Sequence, residues 1–179
     1  MVAAGHPLTA EAGARILREG GNAVDAAVGA VLASWVAEPL LTGPGAGGYL
    51  LVAGAGQEPT LLDFFVEAPG RGADASTRAE LLACEVSFGD AVQVFNCGAS
   101  SCGTYGMTAG LAAALERWGS LDIAALAAPA AALARDGVAL TAAQAHVFDI
   151  LQPILVSTPE SPKDTSQGSR SARADGSAP

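Results

Sequence analysis

Hydrophobic positions along the chain fall into a helical period early, a continuous apolar pattern in the middle, and a helical period again later. Residues 8–19 carry Ala12, Ile16 and Leu17 on one side, and Gly20-Gly21 closes the stretch as a glycine C-cap. His6-Pro7 or Thr9 opens it. From Ala23 to Ala37 a second helix is predicted, with Asn22 as N-cap and Asp25 in the first turn, where the helix dipole favours an acid. Its apolar face is Val24, Ala27, Val28, Val31, Leu32 and Trp35. Ala26, Ala27, Gly29, Ala30, Ala33 and Ser34 cover much of the rest, the surface of a helix packed closely on more than one side. Glu38-Pro39 stops it.

The glycine-rich Gly43–Gly48 contains the spacing GxGxxG. A dinucleotide site needs that loop after a strand and before a helix. Here the order is reversed, so the loop reads as a tight helix-to-strand passage where only glycine lets the backbone come close. Tyr49–Ala53 and Thr60–Val66 are continuous apolar runs, predicted to form a largely buried hairpin. Residues 70–82 form a polar connector with Arg71, Asp74 and Arg78. Val86–Phe95 is a further strand segment broken by Gly89-Asp90, and Gly98–Gly106 is a loop. Helices are predicted at Thr108–Trp118, at Ile123–Arg135 (capped by Asp122 or Ser120, with Pro129 as a kink or break) and at Thr141–Leu151 with Thr141 as cap. From Ser157 the composition turns polar, so 157–179 is expected to be a disordered tail beside a folded domain at 1–156.

With 179 residues, half of them hydrophobic, the chain has material for one domain with a real core. Aromatics are only 5%, so that core is built from Ala, Val and Leu. A net charge of -9 disfavours nucleic acid and anionic membrane as partners. No apolar run is long enough to span a bilayer. Residues 1–5 show neither a basic nor an apolar signal region, the start of a cytoplasmic protein or of a chain whose beginning is missing, with a cytoplasmic location the expectation. The three cysteines, Cys84, Cys97 and Cys102, have no CxxC or zinc spacing with His6 or His146, and read as reduced, inert thiols. No cofactor or metal is implied.

His6-Pro7-Leu8, Glu11-Ala12-Gly13, the block Gly20-Gly21-Asn22-Ala23-Val24-Asp25-Ala26-Ala27, Glu38-Pro39, the turn Gly43–Gly48 and Glu67-Ala68-Pro69 occur in this order along the chain. Together they resemble the amino-terminal signature of the gamma-glutamyltransferase family. A looser likeness follows at Gly110-Leu111, Trp118-Gly119, Pro129-Ala130 and Leu133–Gly137, and ends near Pro159. The resemblance implies a self-cleaving amidohydrolase or acyltransferase of the N-terminal-nucleophile type. The implied fold class is α+β: a helix-rich part of an αββα sandwich, with helices on both faces of two stacked sheets. Bacterial relatives are often exported.

In that family the nucleophile is a Thr that becomes a new N-terminus. Its hydroxyl attacks the gamma-amide, its own amine acts as base, and glycine N–H groups hold the oxyanion. That Thr lies in the carboxy-terminal half in a Thr-Thr-His context, which this sequence lacks, so no catalytic residue is assigned. Thr104 matches a Pro-Gly-Thr segment inside the large subunit instead, and Cys102 has no His close in sequence. The family also places an Arg before the Ala-Pro segment to grip the substrate carboxylate with two parallel hydrogen bonds. Phe65 stands there, with Val66 where Glu is expected. Phe65 is thus the one substrate-binding candidate, as strand core or as a pocket wall for a less polar acyl group; Arg71 or Arg78 would be the replacement cation. His6 reads as a helix-entry or capping residue. Asp63 and Glu67 read as structural hydrogen-bonding groups, and Glu38 as a helix-end acid.

The resulting expectation is a large-subunit fragment, inactive alone, truncated by a frameshift or early stop where the composition switches. Its partners would be a complementary small-subunit-like chain and a gamma-glutamyl or related amide substrate. The alternatives are half of a split enzyme, or a non-enzymatic relic that binds a partner through an exposed apolar face.

Overall fold

The computed structural model describes residues 1–54, 57–74, 76 and 80–158; most of the polar tail, from residue 159 on, lies outside them. Among the described residues there are five α-helices and four strands, an α+β chain. The chain divides into two compact units: Met1–Glu67 with Thr104–Val138, and Ala68–Gly103 with the segment from Ala139 on. No helix among the described residues is long and apolar enough to cross a membrane.

The first unit holds α1 (Pro7–Arg18), α2 (Ala23–Ala37), β1 (Tyr49–Gly54), β2 (Gln57–Asp63), α3 (Met107–Trp118) and α4 (Ile123–Asp136). His6 is the N-cap of α1, its Nδ1 accepting the Leu8 N–H at 3.1 Å, and Pro7 follows where a missing N–H costs nothing. Gly20, at φ 97°, ends α1. The Gly21 N–H donates to the Ile16 carbonyl at 3.0 Å and the Gly20 N–H to the Leu17 carbonyl at 3.2 Å, the paired closure that a left-handed glycine permits.

α2 is the central helix, packed against α1, α3 and α4. Its most buried side is the small-residue side: Ala26, Gly29, Ala30 and Ala33 are buried with Val28 and Leu32, whereas Val31 and Trp35 are only partly covered. The predicted stripe through Val31 and Trp35 is therefore corrected: small side chains let neighbouring helices close on α2 from several directions. Ile16, Leu111, Ala114 and Leu126 complete this core.

The start of α2 is a capping box. Asn22 Oδ1 accepts the N–H groups of Val24 and Asp25 at 2.8 and 3.0 Å, and Asp25 Oδ2 accepts the Asn22 N–H at 2.9 Å. The Asp25 side chain goes further than a first-turn acid: it is fully buried. It accepts the Ser120 N–H at 2.9 Å, the Ser120 hydroxyl at 2.5 Å and the Leu121 N–H at 3.3 Å. Asn22 Nδ2 donates to the Trp118 carbonyl at 2.7 Å. Ser120 is thus committed to Asp25, and Asp122 caps α4 through the Ala124 N–H at 2.7 Å. Burial alone pushes the Asp25 carboxyl up, but the donors from Ser120, Asn22 and Leu121 outweigh it and hold the carboxyl below the usual aspartate value.

β1 and β2 form an antiparallel hairpin, with Leu50 opposite Leu62 and Leu51 opposite Leu61. Leu50, Val52 and Leu62 pack on the helical core. Tyr49, Leu51 and Leu61 on the other face are 59%, 64% and 57% exposed, so the expectation of a largely buried hairpin is corrected. Strand side chains alternate, and only one face has helices against it.

The second unit contains β3 (Leu82–Ser87), β4 (Val92–Cys97), a short 3-10 turn at Ala99–Ser101 and α5 (Ala142–Leu155), which packs on β3. The expected single strand broken at Gly89-Asp90 is two antiparallel strands with the chain reversing there. The Thr141 hydroxyl accepts the Gln144 N–H at 3.2 Å and caps α5 as expected. The helix then runs through Pro153 rather than stopping at Leu151, just as α4 runs through Pro129.

Asp25→Asn replaces acceptors with an amide N–H₂ facing backbone donors, and should cost roughly 2–3 kcal/mol in urea unfolding at neutral pH. Because the folded Asp25 value is depressed, its stabilisation is present above the ordinary aspartate range near pH ~4 and is lost as pH falls through the folded value. The gap between wild type and Asp25→Asn should therefore close in acid.

Candidate functional site

The glycine turn delivers the chain to the site. Beyond the Tyr49–Asp63 pair the ladder continues: the Phe64 N–H donates to the Gly48 carbonyl at 3.1 Å and the Gly48 N–H to the Phe64 carbonyl at 3.3 Å. A Cβ on Gly47 would lie 2.6 Å from the Val66 nitrogen. The GxGxxG spacing is thus a close backbone passage, as its position before a strand predicts. On the inner side the Phe64 ring fills the space where Gly110 has no side chain; a Cβ there would be 2.2 Å from the Phe64 Cγ.

With Phe64 pinned inward, Phe65 points outward and is 53% exposed. Its ring stacks on Tyr49, with centroids 5.3 Å apart and planes 9° from parallel. Its N–H is accepted by Asp63 Oδ1 at 3.0 Å, a local turn contact that uses the Asp63 carboxylate structurally. The outer face of the hairpin therefore carries Tyr49, Leu51, Leu61 and Phe65, with Asp63 opposite Tyr49 on the same face; the stacked rings lie at the open end and the leucines toward the loop. This pair offers flat apolar surface and no charge-assisted donor, so it suits an acyl chain and does not hold a carboxylate.

The other sequence candidates lie elsewhere. Thr104 is bridged to Glu67: the Thr104 N–H and hydroxyl donate to the Glu67 carbonyl at 2.8 and 3.1 Å, and the hydroxyl accepts the Glu67 N–H at 3.1 Å. Its hydroxyl holds two segments together rather than standing free as a nucleophile. The Glu38 carboxylate accepts the Thr9 hydroxyl at 2.8 Å, tying the end of α2 to α1. Cys102 is exposed in the second unit, its thiol toward the Gly98 carbonyl. Arg71 lies in the second unit and is exposed, and Arg78 lies outside the described residues.

A cavity of about 410 Å³ in the first unit lies between residues 1–4, α1 and α2. Its hydroxyls, Thr9 and Ser34, are engaged with Glu38 and with the Val31 carbonyl, and the other side chains lining it are apolar. Tyr49 is the site residue that reading the sequence missed. The signal was the two-residue alternation of Tyr49 and Leu51 against Leu61, Asp63 and Phe65, which becomes informative only once the register is fixed.

The family model described as Gamma-glutamyltranspeptidase matches residues 9–170, so the likeness runs past Pro159, where the motifs end. A glutathione hydrolase proenzyme of Bacillus subtilis (strain 168) is 34% identical over 164 residues, 88% of this chain and 26% of that protein. The acylase ACY 1 proenzyme of Pseudomonas sp. (strain SE83) is 36% identical over 145 residues, 79% of this chain and 25% of that one. The chain thus spans about a quarter of the length of these curated relatives. Among solved structures, the gamma-glutamyltranspeptidase of Helicobacter pylori superposes with a TM-score of 0.72 at 27% identity, over 90% of this chain and 44% of that one. The cephalosporin acylase of Bacillus halodurans gives 0.69 at 27% identity, over 87% and 28%. The chain belongs to the gamma-glutamyltranspeptidase family.

Proposed function

We propose that this chain supplies the amino-terminal, large-subunit part of a gamma-glutamyltranspeptidase-like amidohydrolase or acyltransferase. It is inactive alone and works with a small-subunit-like part that carries the nucleophilic Thr. The observation that carries this reading is the uncovered outer face of the β1–β2 hairpin. A two-stranded sheet with helices on one face and Tyr49, Leu51, Leu61 and Phe65 open on the other is half of a sandwich. In the αββα arrangement, a second sheet from the partner lies against that face. The names of the relatives as proenzymes support such a division into parts. Residues 1–156 would form the family piece and 157–179 a polar tail.

In the completed enzyme Phe65 and Tyr49 wall the acyl pocket, so the preferred acyl group is less polar than gamma-glutamyl. The reading rests on the ring pair; the relatives include both glutathione hydrolases and acylases. A family member discriminates by what its pocket can pair, and a stacked ring pair cannot pair an alpha-carboxylate.

Co-expression of this chain with a family small subunit should yield a co-purifying pair that hydrolyses an acyl anilide, while the chain by itself self-associates on size exclusion and shows no turnover. A monomeric chain that unfolds cooperatively and captures no small subunit would replace this reading with a free-standing binding module. In the active pair, Phe65→Arg should raise kcat/KM for a gamma-glutamyl anilide relative to the matching unsubstituted acyl anilide by roughly 10- to 100-fold, the worth of a charge-assisted bidentate contact. An unchanged ratio would remove Phe65 from the pocket.

A further inference from the structure

Cys84 on β3 and Cys97 on β4 share one face of the second unit's hairpin. The register pairs Leu82 with Cys97 and Cys84 with Phe95, so the cysteines are diagonal neighbours. Such diagonals span about 7–8 Å, and the strong twist of a two-stranded ribbon shortens one of the two. Both side chains are buried, together with Val86, in the sheet that α5 packs against. Each thiol leans back toward the carbonyl two residues before it, Leu82 and Phe95, at 3.9 Å. The neighbouring Cys84 thiol, with burial and then the Cys84 charge adding to it, holds the Cys97 thiol above the usual cysteine value. Cys102, in the same unit, is exposed and turns to the Gly98 carbonyl.

We propose that Cys84 and Cys97 are an oxidisable dithiol that closes to an intrachain disulfide by exchange with a low-molecular-weight disulfide, fixing β3 to β4. This reverses the expectation from spacing alone that all three thiols are inert. The exchange has two steps. One cysteine of the pair, as thiolate, attacks a sulfur of the small disulfide; that S–S bond breaks and one small thiolate leaves, taking a proton from water. The other cysteine loses its proton to solvent and attacks the protein-bound sulfur; the second small thiolate leaves and is protonated. Two protein thiols are oxidised and one small disulfide is reduced to two thiols. The reaction is slow at neutral pH, where little of a thiol with a raised value is ionised, and quickens as pH rises.

The test uses the full chain with oxidised glutathione at about pH 7 and about pH 8.5. Samples are quenched in acid, alkylated with N-ethylmaleimide and mapped by peptide mass spectrometry. The expected product is a Cys84–Cys97 linked peptide pair with a mass loss of about 2 Da, Cys102 remaining free to alkylate. Its rate should be at least about tenfold higher at the upper pH. Cys102→Ser should leave the product unchanged and Cys97→Ser should abolish it. In urea the preference should pass to Cys97–Cys102, whose closing loop is shorter. Alkylation of all three cysteines, linkage through Cys102 in the native chain, or the same Cys84–Cys97 preference in urea would each overturn the proposal. Because the linkage is read on the wild-type chain, a variant that misfolds leaves the result standing.

Discussion

A buried carboxylate with no partner is among the most costly groups a core can hold, and Asp25 has donors from both sides. Asn22 supplies one from its own helix start; Ser120 and Leu121 supply three from the loop between α3 and α4. The end of α3 accepts the Asn22 amide through the Trp118 carbonyl. A helix cap has thereby become a joint between segments 95 residues apart. Removing it would leave either a charge without donors or donors without an acceptor. That fixes where α2 starts, and α2 is the helix the other three of the first unit pack around.

From that joint the rest of the first unit follows. α2 is lined with small side chains, so α1 and α4 come in close and the core is made of alkyl groups rather than rings. α3 brings Gly110 to Phe64, and the glycine turn brings Gly47 to the Phe64–Val66 backbone. Between them they leave Phe64 only one orientation. Strand alternation then turns Phe65 outward onto Tyr49. The character of the outer face is a consequence of how tightly the inner face is packed.

Much of this was legible in the residues. The cap at Asn22, the glycine end of α1, the reversed order around Gly43–Gly48 and the Thr141 start of α5 are local effects, set by which side chain meets which backbone group within a few positions. The family was legible too, because its signature is concentrated in the same local features. Proline was a weaker guide: Pro129 and Pro153 lie inside helices that continue past them. Their surroundings, not their own propensity, decided the outcome.

What the sequence by itself determined was where most helices start and stop, which turns need glycine, that the chain is α+β and which family it resembles. Those depend on contacts a few residues long. Only tertiary structure decided that Asp25 is a buried joint rather than a first-turn acid, that the hairpin covers one face and opens the other, and that Cys84 meets Cys97 on one face. Each of those depends on a partner far along the chain or on strand register, and a slip of one residue in register would exchange the two faces. Side-chain type alone does not encode that choice; for the first hairpin, packing against α3 and the helical core makes it.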